Sequence, residues 1–167
     1  MTASALYVRT GTALTWKESG GDFTFTPKNL ANGAGRIGAR GDLGAFPRAG
    51  VWRYFAATKC QATPTQYNLI KLFLAFWDDD ATPGDPDGAS GSSDAAWSTE
   101  TDALNLTPLR PIVCDAASSS KVFTSSGLIR IRTRYVSPWW WNASGASLTN
   151  TAGDHFFRLT PVFPEAQ

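Results

Sequence analysis

Carboxylates are the most concentrated reactive groups in this sequence. Residues 78–94, DDDATPGDPDGASGSSD, hold Asp78, Asp79, Asp80, Asp85, Asp87 and Asp94 among Pro, Gly and Ser, the composition of a long exposed loop. Clustered carboxylates can hold calcium, which takes about six to eight oxygen ligands. The spacing departs from the EF-hand pattern, however, because its central glycine and closing glutamate are both missing. The stretch is read as a solvated, self-repelling loop with no metal assigned. No Lys or Arg occurs from Leu72 to Leu109, so this interval forms a local acidic face. The only histidine, His155, stands beside Phe156 and Phe157 and reads as structural. No GxSxG, HExxH or phosphate-loop motif is present, and GARGDLG (38–44) lacks the Lys-Ser/Thr that a phosphate loop needs. A glycosidase-type carboxylate pair is compatible with an all-β chain, but nothing singles one out. No catalytic residue and no cofactor are expected.

Arginine supplies a second chemistry. Arg36, Arg40 and Arg48, together with Asp42, punctuate the Gly- and Ala-rich stretch NLANGAGRIGARGDLGAFPRAG (29–50). Guanidinium groups on such a segment would make directional hydrogen bonds to a partner surface. Arg130, Arg132 and Arg134 alternate with Ile129, Ile131, Thr133 and Tyr135, which predicts one strand with a charged face. Like charges on one face need a negative partner. No aromatic platform interleaves with them as single-stranded nucleic acid would require. The acidic interval 78–102, of this chain or of a neighbouring copy, is the expected counterpart.

Trp139, Trp140 and Trp141 are consecutive, and adjacent strand residues point to opposite faces. At least one must therefore leave the main core. It would either present an exposed aromatic interface to a protein or, less readily, a sugar ring, or lie beneath a covering loop. Cys60 and Cys114 are far apart in sequence and read as buried, reduced thiols rather than a disulfide.

The elements that position these groups are short and β-like. Charged residues make up 17% of the 167, below the roughly 25% usual in globular domains, while Gly, Pro and aromatics are plentiful. That balance fits a turn-rich all-β protein whose surface is partly covered by neighbours. A formal net charge of +1 gives no sign of general nucleic-acid binding. No apolar run reaches the ~18 residues of a membrane span. The start, MTASALYVRTG, lacks the basic and apolar regions of a signal peptide, so synthesis and folding in a cytoplasm are expected.

Strands are expected at 4–9 and 12–16 with a Gly11 turn between them, at 23–26, at Val51–Lys59 and at Leu69–Trp77. The last, LIKLFLAFW, is apolar enough to be buried on both faces and ends at the triple aspartate. An edge strand containing Pro108 and Pro111, the alternating run 127–136 and a closing strand at 155–162 follow. Eight or nine such strands and no amphipathic helix predict a single-domain antiparallel β-sandwich, in its jelly-roll version. Its parts would be N-terminal strands (1–28), an extended arm or loop (29–50) and the sandwich core (51–167).

Leu30-Ala31-Asn32-Gly33-Ala34-Gly35-Arg36, followed by Asp42-Leu43-Gly44, resembles a recurring pattern in small structural proteins of tailed bacteriophages. The similarity continues through an apolar strand such as Leu69–Trp77, an Asp- and Gly-rich loop, a strand with Arg-Tyr-Val (134–136) and a close such as 155–164. It covers most of residues 25–167, and the first 24 residues match nothing in that pattern. The resemblance implies a virion component on the capsid surface, a head decoration or cement protein. Its partners would be the major capsid protein and further copies of itself, as a homotrimer or other small homo-oligomer, without nucleic acid, membrane or cofactor. A tail-associated adsorption or carbohydrate-binding module is the alternative it leaves open. The tryptophan triplet departs from the pattern, which has smaller apolar residues before the Asn-Ala pair.

Overall fold

The computed structural model describes residues 6–44, 50–77 and 93–166. Period-two alternation of apolar side chains builds them into two packed sheets, an all-β antiparallel sandwich. The strands are β1 (Leu6–Thr10), β2 (Leu14–Lys17), β3 (Phe23–Thr24), β4 (Ala34–Ile37), β5 (Gly41–Asp42), β6 (Val51–Lys59) and β7 (Leu69–Trp77). They continue as β8 (Ala95–Trp97), β9 (Thr107–Pro108), β10 (Ile112–Val113), β11 (Val122–Arg130), β12 (Tyr135–Ala143) and β13 (Phe156–Ala166). Short 3₁₀ turns occupy Glu100–Asn105 and Ala152–Asp154. One sheet has six strands in the order β11-β6-β13-β2-β3, with β1 also on β13. The other has seven in the order β10-β7-β12-β4-β8, with β5 on β12 and β9 on β7.

The core between the sheets takes Trp16, Trp52, Tyr54, Phe123, Phe157 and Leu159 from the six-stranded sheet. Ile70, Leu72, Leu74, Val136 and Trp140 come from the other. A second cluster lies on the far side of the seven-stranded sheet. There Ala75, Trp77, Tyr135, Trp139 and Trp141 are covered by Trp97, Ala103 and Leu106. Trp97 meets Trp139 and Trp141 edge to face, with ring centroids 5.3 and 5.2 Å apart, a favoured aromatic geometry. β7 is thus buried on both faces, as its apolar run requires. The proline-bearing β9 lies at the margin of β7, where a missing N–H costs no ladder bond.

Four expectations are corrected. Residues 29–44 are not an extended arm: β4 and β5 hydrogen-bond along β12 as part of the seven-stranded sheet. Their glycines are what allow it. A Cβ at Gly35 would stand 2.8 Å from Trp97 Cδ2 and 3.0 Å from Trp141 Cε3, and one at Gly41 would meet Phe23 at 2.9 Å. Small residues here let the backbone lie flat against large rings. The alternating run 127–136 is not one strand. β11 ends at Arg130, the chain crosses to the other sheet over 131–134, and β12 begins at Tyr135. The pattern survives the crossing because Ile131 and Tyr135 are both buried, in different clusters. Gly11 is not a hairpin turn either. β1 and β2 run in the same direction along β13, and Gly11 N–H donates to Pro161 O at 3.1 Å where they meet. Finally, more strands are present than the eight or nine expected, because several have only two residues.

Trp97 carries the cover over the second cluster, so Trp97→Ala should lower the unfolding free energy by about 3–5 kcal/mol in denaturant titration. The exposed Leu128→Ala should stay within about 0.5 kcal/mol.

Candidate interaction surface

The two sheets differ in what lies on their outer faces. The seven-stranded sheet is covered by the 95–106 segment, whereas the six-stranded sheet turns its outer face to solvent. The register fixes which side chains stand there. Ser126, Phe55 and Arg158 form one cross-strand row, and Leu128, Arg53 and Thr160 the next. Arg130 sits opposite Val51, and Val122 opposite Lys59. Arg53, Arg130 and Arg158 are exposed, as are Leu128 (69%) and Val122 (51%), so cationic and apolar groups share one surface. Ala13, Arg53, Phe55, Ser126, Arg158 and Thr160 line a groove of about 520 Å³ in it. Phe55 and Phe156 lie 5.7 Å apart, and the Arg158 guanidinium is 5.3 Å from the Phe156 ring centre, within cation–π range. Among the described residues, none of Arg53, Arg130, Arg132 and Arg158 has a carboxylate partner.

The site residues expected from sequence fall into separate groups. Arg36 is an internal clamp. Its Nε and Nη2 donate to the two carboxylate oxygens of Asp94 at 2.9 and 2.5 Å, and Nη2 also reaches Thr26 Oγ1 at 2.5 Å. Thr26 N–H and its hydroxyl donate to the same carboxylate. The pair is largely covered, with 25% and 9% of the side chains exposed, so it anchors the end of the aspartate-rich stretch instead of a partner. Arg134 makes a two-point pair with Asp42 at 3.0 and 2.8 Å. That pairing, helped by Gly44 N–H, holds the Asp42 carboxyl below its usual range. Arg40 and Arg134 both approach the Tyr135 ring, at 4.7 and 4.9 Å.

Arg36, Arg40, Asp42 and Arg134 therefore hold the fold together at the β4–β5–β12 edge. Arg130 and Arg132 remain outward, but the expected ladder with Arg134 is broken by the crossing between sheets. Arg48, Asp78–Asp80, Asp85 and Asp87 lie outside the described residues. Within the acidic interval 78–102, Asp94 and Glu100 do not pair with the arginine run: Asp94 pairs with Arg36 and Glu100 with Lys71. The sequence leaves two readings open for the Trp139–Trp141 triplet, an exposed aromatic interface and burial beneath a cover, and their exposures are 0%, 0% and 7%. The covering reading holds over the exposed one, with Trp140 in the main core and its neighbours under Trp97.

Arg53 and Arg158 were not singled out by sequence reasoning. The signal was present, since each is the single arginine of a largely apolar strand (VWRYFAATK, HFFRLTPV) and alternation sends both outward.

The remaining reactive groups are internal. His155 Nε2 faces Thr149 O at 3.0 Å, so that nitrogen carries the proton, and Nδ1 accepts from the Thr58 hydroxyl at 2.7 Å. Burial pushes its pKa below the ordinary value of 6.5. Cys60 and Cys114 are free and buried. The neighbouring Cys114 thiol lowers the Cys60 pKa, while Cys60 and burial together push the Cys114 thiol upward. Among the described residues, no three His, Cys, Asp or Glu side chains gather closely enough to hold a metal ion.

No protein-family model matches the sequence, and no curated protein matches it.

Arg36→Gln should leave Asp94 buried without its cation and cost about 2 kcal/mol in a denaturation experiment. Arg134→Gln, at a pair with 42% of each side chain exposed, should cost less than about 1 kcal/mol. For His155 the folded pKa lies below the unfolded one, so its contribution to stability is complete above about pH 6.5 and falls as pH drops below that value. Denaturation midpoints measured from pH 7.5 to 5 should decline for the native protein, and less steeply for His155→Gln.

Proposed function

We propose that this chain is a structural protein of a tailed-bacteriophage particle, a decoration or cement protein that sits on the outside of the head. It would bind the major capsid protein and associate with copies of itself, as a trimer or other small homo-oligomer. The observation that carries this reading is the outer face of the six-stranded sheet, where exposed arginines without described carboxylate partners lie beside Leu128 and Val122. Such a face suits contact with another protein better than turnover of a small substrate. Cement proteins act by adding modest contact energies over many copies, which asks of the fold a rigid body and a matching surface.

The motif segments that carry the phage resemblance also support it. Asp42-Leu43-Gly44 and Arg134-Tyr135-Val136 are distant in sequence, yet Asp42 pairs with Tyr135 in the strand register and with Arg134 through its side chain. A pattern whose separate pieces close on each other is one that a fold would maintain. The adsorption alternative depends on an accessible indole at Trp139–Trp141 for stacking on sugars, and all three are buried.

Immunogold electron microscopy of phage particles from the source culture, with antibody against this chain, tests the reading. Gold distributed over the heads is the expected result. Label confined to tails would transfer the protein to a tail role, and intact particles without label would overturn the virion assignment.

A further inference from the structure

The outer face of the six-stranded sheet has a chemistry specific enough to name what it receives. We infer that it is a docking surface for an aspartate- or glutamate-rich protein segment, with Arg53 and Arg158 as the carboxylate receivers on either side of Phe55. The inference deepens the particle-binding reading, on which it rests for its setting, by assigning the face and the partner's chemistry.

Charge complementarity is the first argument. The outward positions of β2, β6, β11 and β13 include Lys17, Arg53, Lys59, Arg130 and Arg158, and no Asp or Glu occupies an outward position described on those strands. None of these cations stands directly opposite another, but Arg53 and Arg158 are diagonal neighbours on one face, and an anion placed between them would draw on both. Elsewhere in the molecule arginines already have such anions: Arg36 holds Asp94 and Arg134 holds Asp42, each through two hydrogen bonds. Fork-shaped carboxylate recognition is therefore a mode this chain uses itself, and among the described residues Arg53, Arg130 and Arg158 have no such partner.

Spacing is the second argument. Phe55 stands opposite Arg158, and Arg53 opposite Thr160, so the two arginines are diagonal neighbours across β6 and β13. Diagonal positions on adjacent antiparallel strands lie about 7–8 Å apart. Carboxylates on alternate residues of an extended segment are separated by about 6.8 Å. A D-x-D or E-x-E segment lying across the groove thus has the spacing to reach both arginines at once, with Phe55 lining the same groove beside Arg158.

The apolar component argues for protein over nucleic acid. Leu128, Val122 and the half-buried Phe55 and Phe156 interrupt the cations, and the chain as a whole carries only +1. A phosphate backbone is bound by a continuous basic track on a strongly basic domain. A protein surface with acidic groups set among apolar ones fits the alternation found here.

The test uses the intact protein and a fluorescently labelled peptide of sequence DDDATPGDPDGASGSSD, an aspartate-rich segment with D-x-D spacing, read by anisotropy at low and raised salt. Binding is expected, weakening with salt. It should fall at least about tenfold for Arg53→Gln/Arg158→Gln, whose melting curve should match that of the native protein because both side chains are exposed. A peptide with every Asp replaced by Asn should not bind, and a single-stranded DNA oligonucleotide should bind more weakly than the acidic peptide. No peptide binding, equal binding by the double variant or the Asn peptide, or tighter binding of DNA would each overturn the inference. The particle reading is judged separately. If the double variant still decorates phage heads, this face is not the contact even though the virion assignment stands. Peptide binding through the two arginines with no label on particles would keep the face and remove the virion.

Discussion

The structure depends on one strand being buried on both sides. β12 pairs with β7 along all of Tyr135–Ala143 and, on its other edge, with β4 and β5. With both edges bonded and both faces covered, the polar groups it carries are strongly driven to find partners inside the protein. The hydroxyl and amide side chains do so, whereas the indole N–H groups of Trp139 and Trp140 meet no acceptor among the described residues. The Ser137 hydroxyl donates to Gly38 O at 2.5 Å. Asn142 Nδ2 donates to Leu30 O and Ala146 O at 2.9 and 2.8 Å, and its Oδ1 accepts from both the backbone N–H and the hydroxyl of Ser144. Asn142 and Ser144 form a glycosylation-type triplet in the sequence, but both are fully buried and committed to closing the turn after β12.

Burying that strand twice over divides the molecule's two surfaces. The segment from Ala95 to Leu106 is used as a cover, and its start is held by the Arg36–Asp94 pair just before Trp97 and by the pairing of β8 with β4. The clamp, the glycine at position 35 and the three indoles that meet edge to face at Trp97 are one arrangement: a longer side chain at Gly35 would push the cover away. No comparable segment lies over the six-stranded sheet among the described residues, which leaves its cationic outer face open. The asymmetry between the faces is thus a consequence of where the covering chain was spent.

Much of the architecture was legible in the sequence because it followed from local pattern. Val51–Lys59 and Leu69–Trp77 form strands with the expected bounds, since continuous apolar runs bounded by turn residues leave little choice. What failed did so where a distant contact overrode local composition. The glycines of 29–44 suggested mobility, and nothing nearby in sequence shows that Trp16, Trp97, Trp141 and Pro138 press against them. Alternation at 127–136 suggested one strand, because a crossing between two sheets preserves the in–out rhythm when both sheets bury the same parity. The interaction surface was half visible. Arg130 and Arg132 were found through their clustering, whereas Arg53 and Arg158 become neighbours only when β6 and β13 pair.

The distribution of tryptophan has an optical consequence. All of the chain's tryptophans, Trp16, Trp52, Trp77, Trp97, Trp139, Trp140 and Trp141, are buried, and they divide between the two clusters on either side of one sheet. Trp16 donates to Ala39 O at 2.8 Å, while the indole N–H groups of Trp52, Trp77, Trp97, Trp139 and Trp140 meet no acceptor among the described residues. The native emission spectrum must then arise from rings held away from water and close enough, in the Trp97 cluster, to exchange excitation energy. Loosening the cover wets one set of emitters and leaves the other dry, so the colour of the protein's own fluorescence distinguishes loss of the lid from loss of the sandwich.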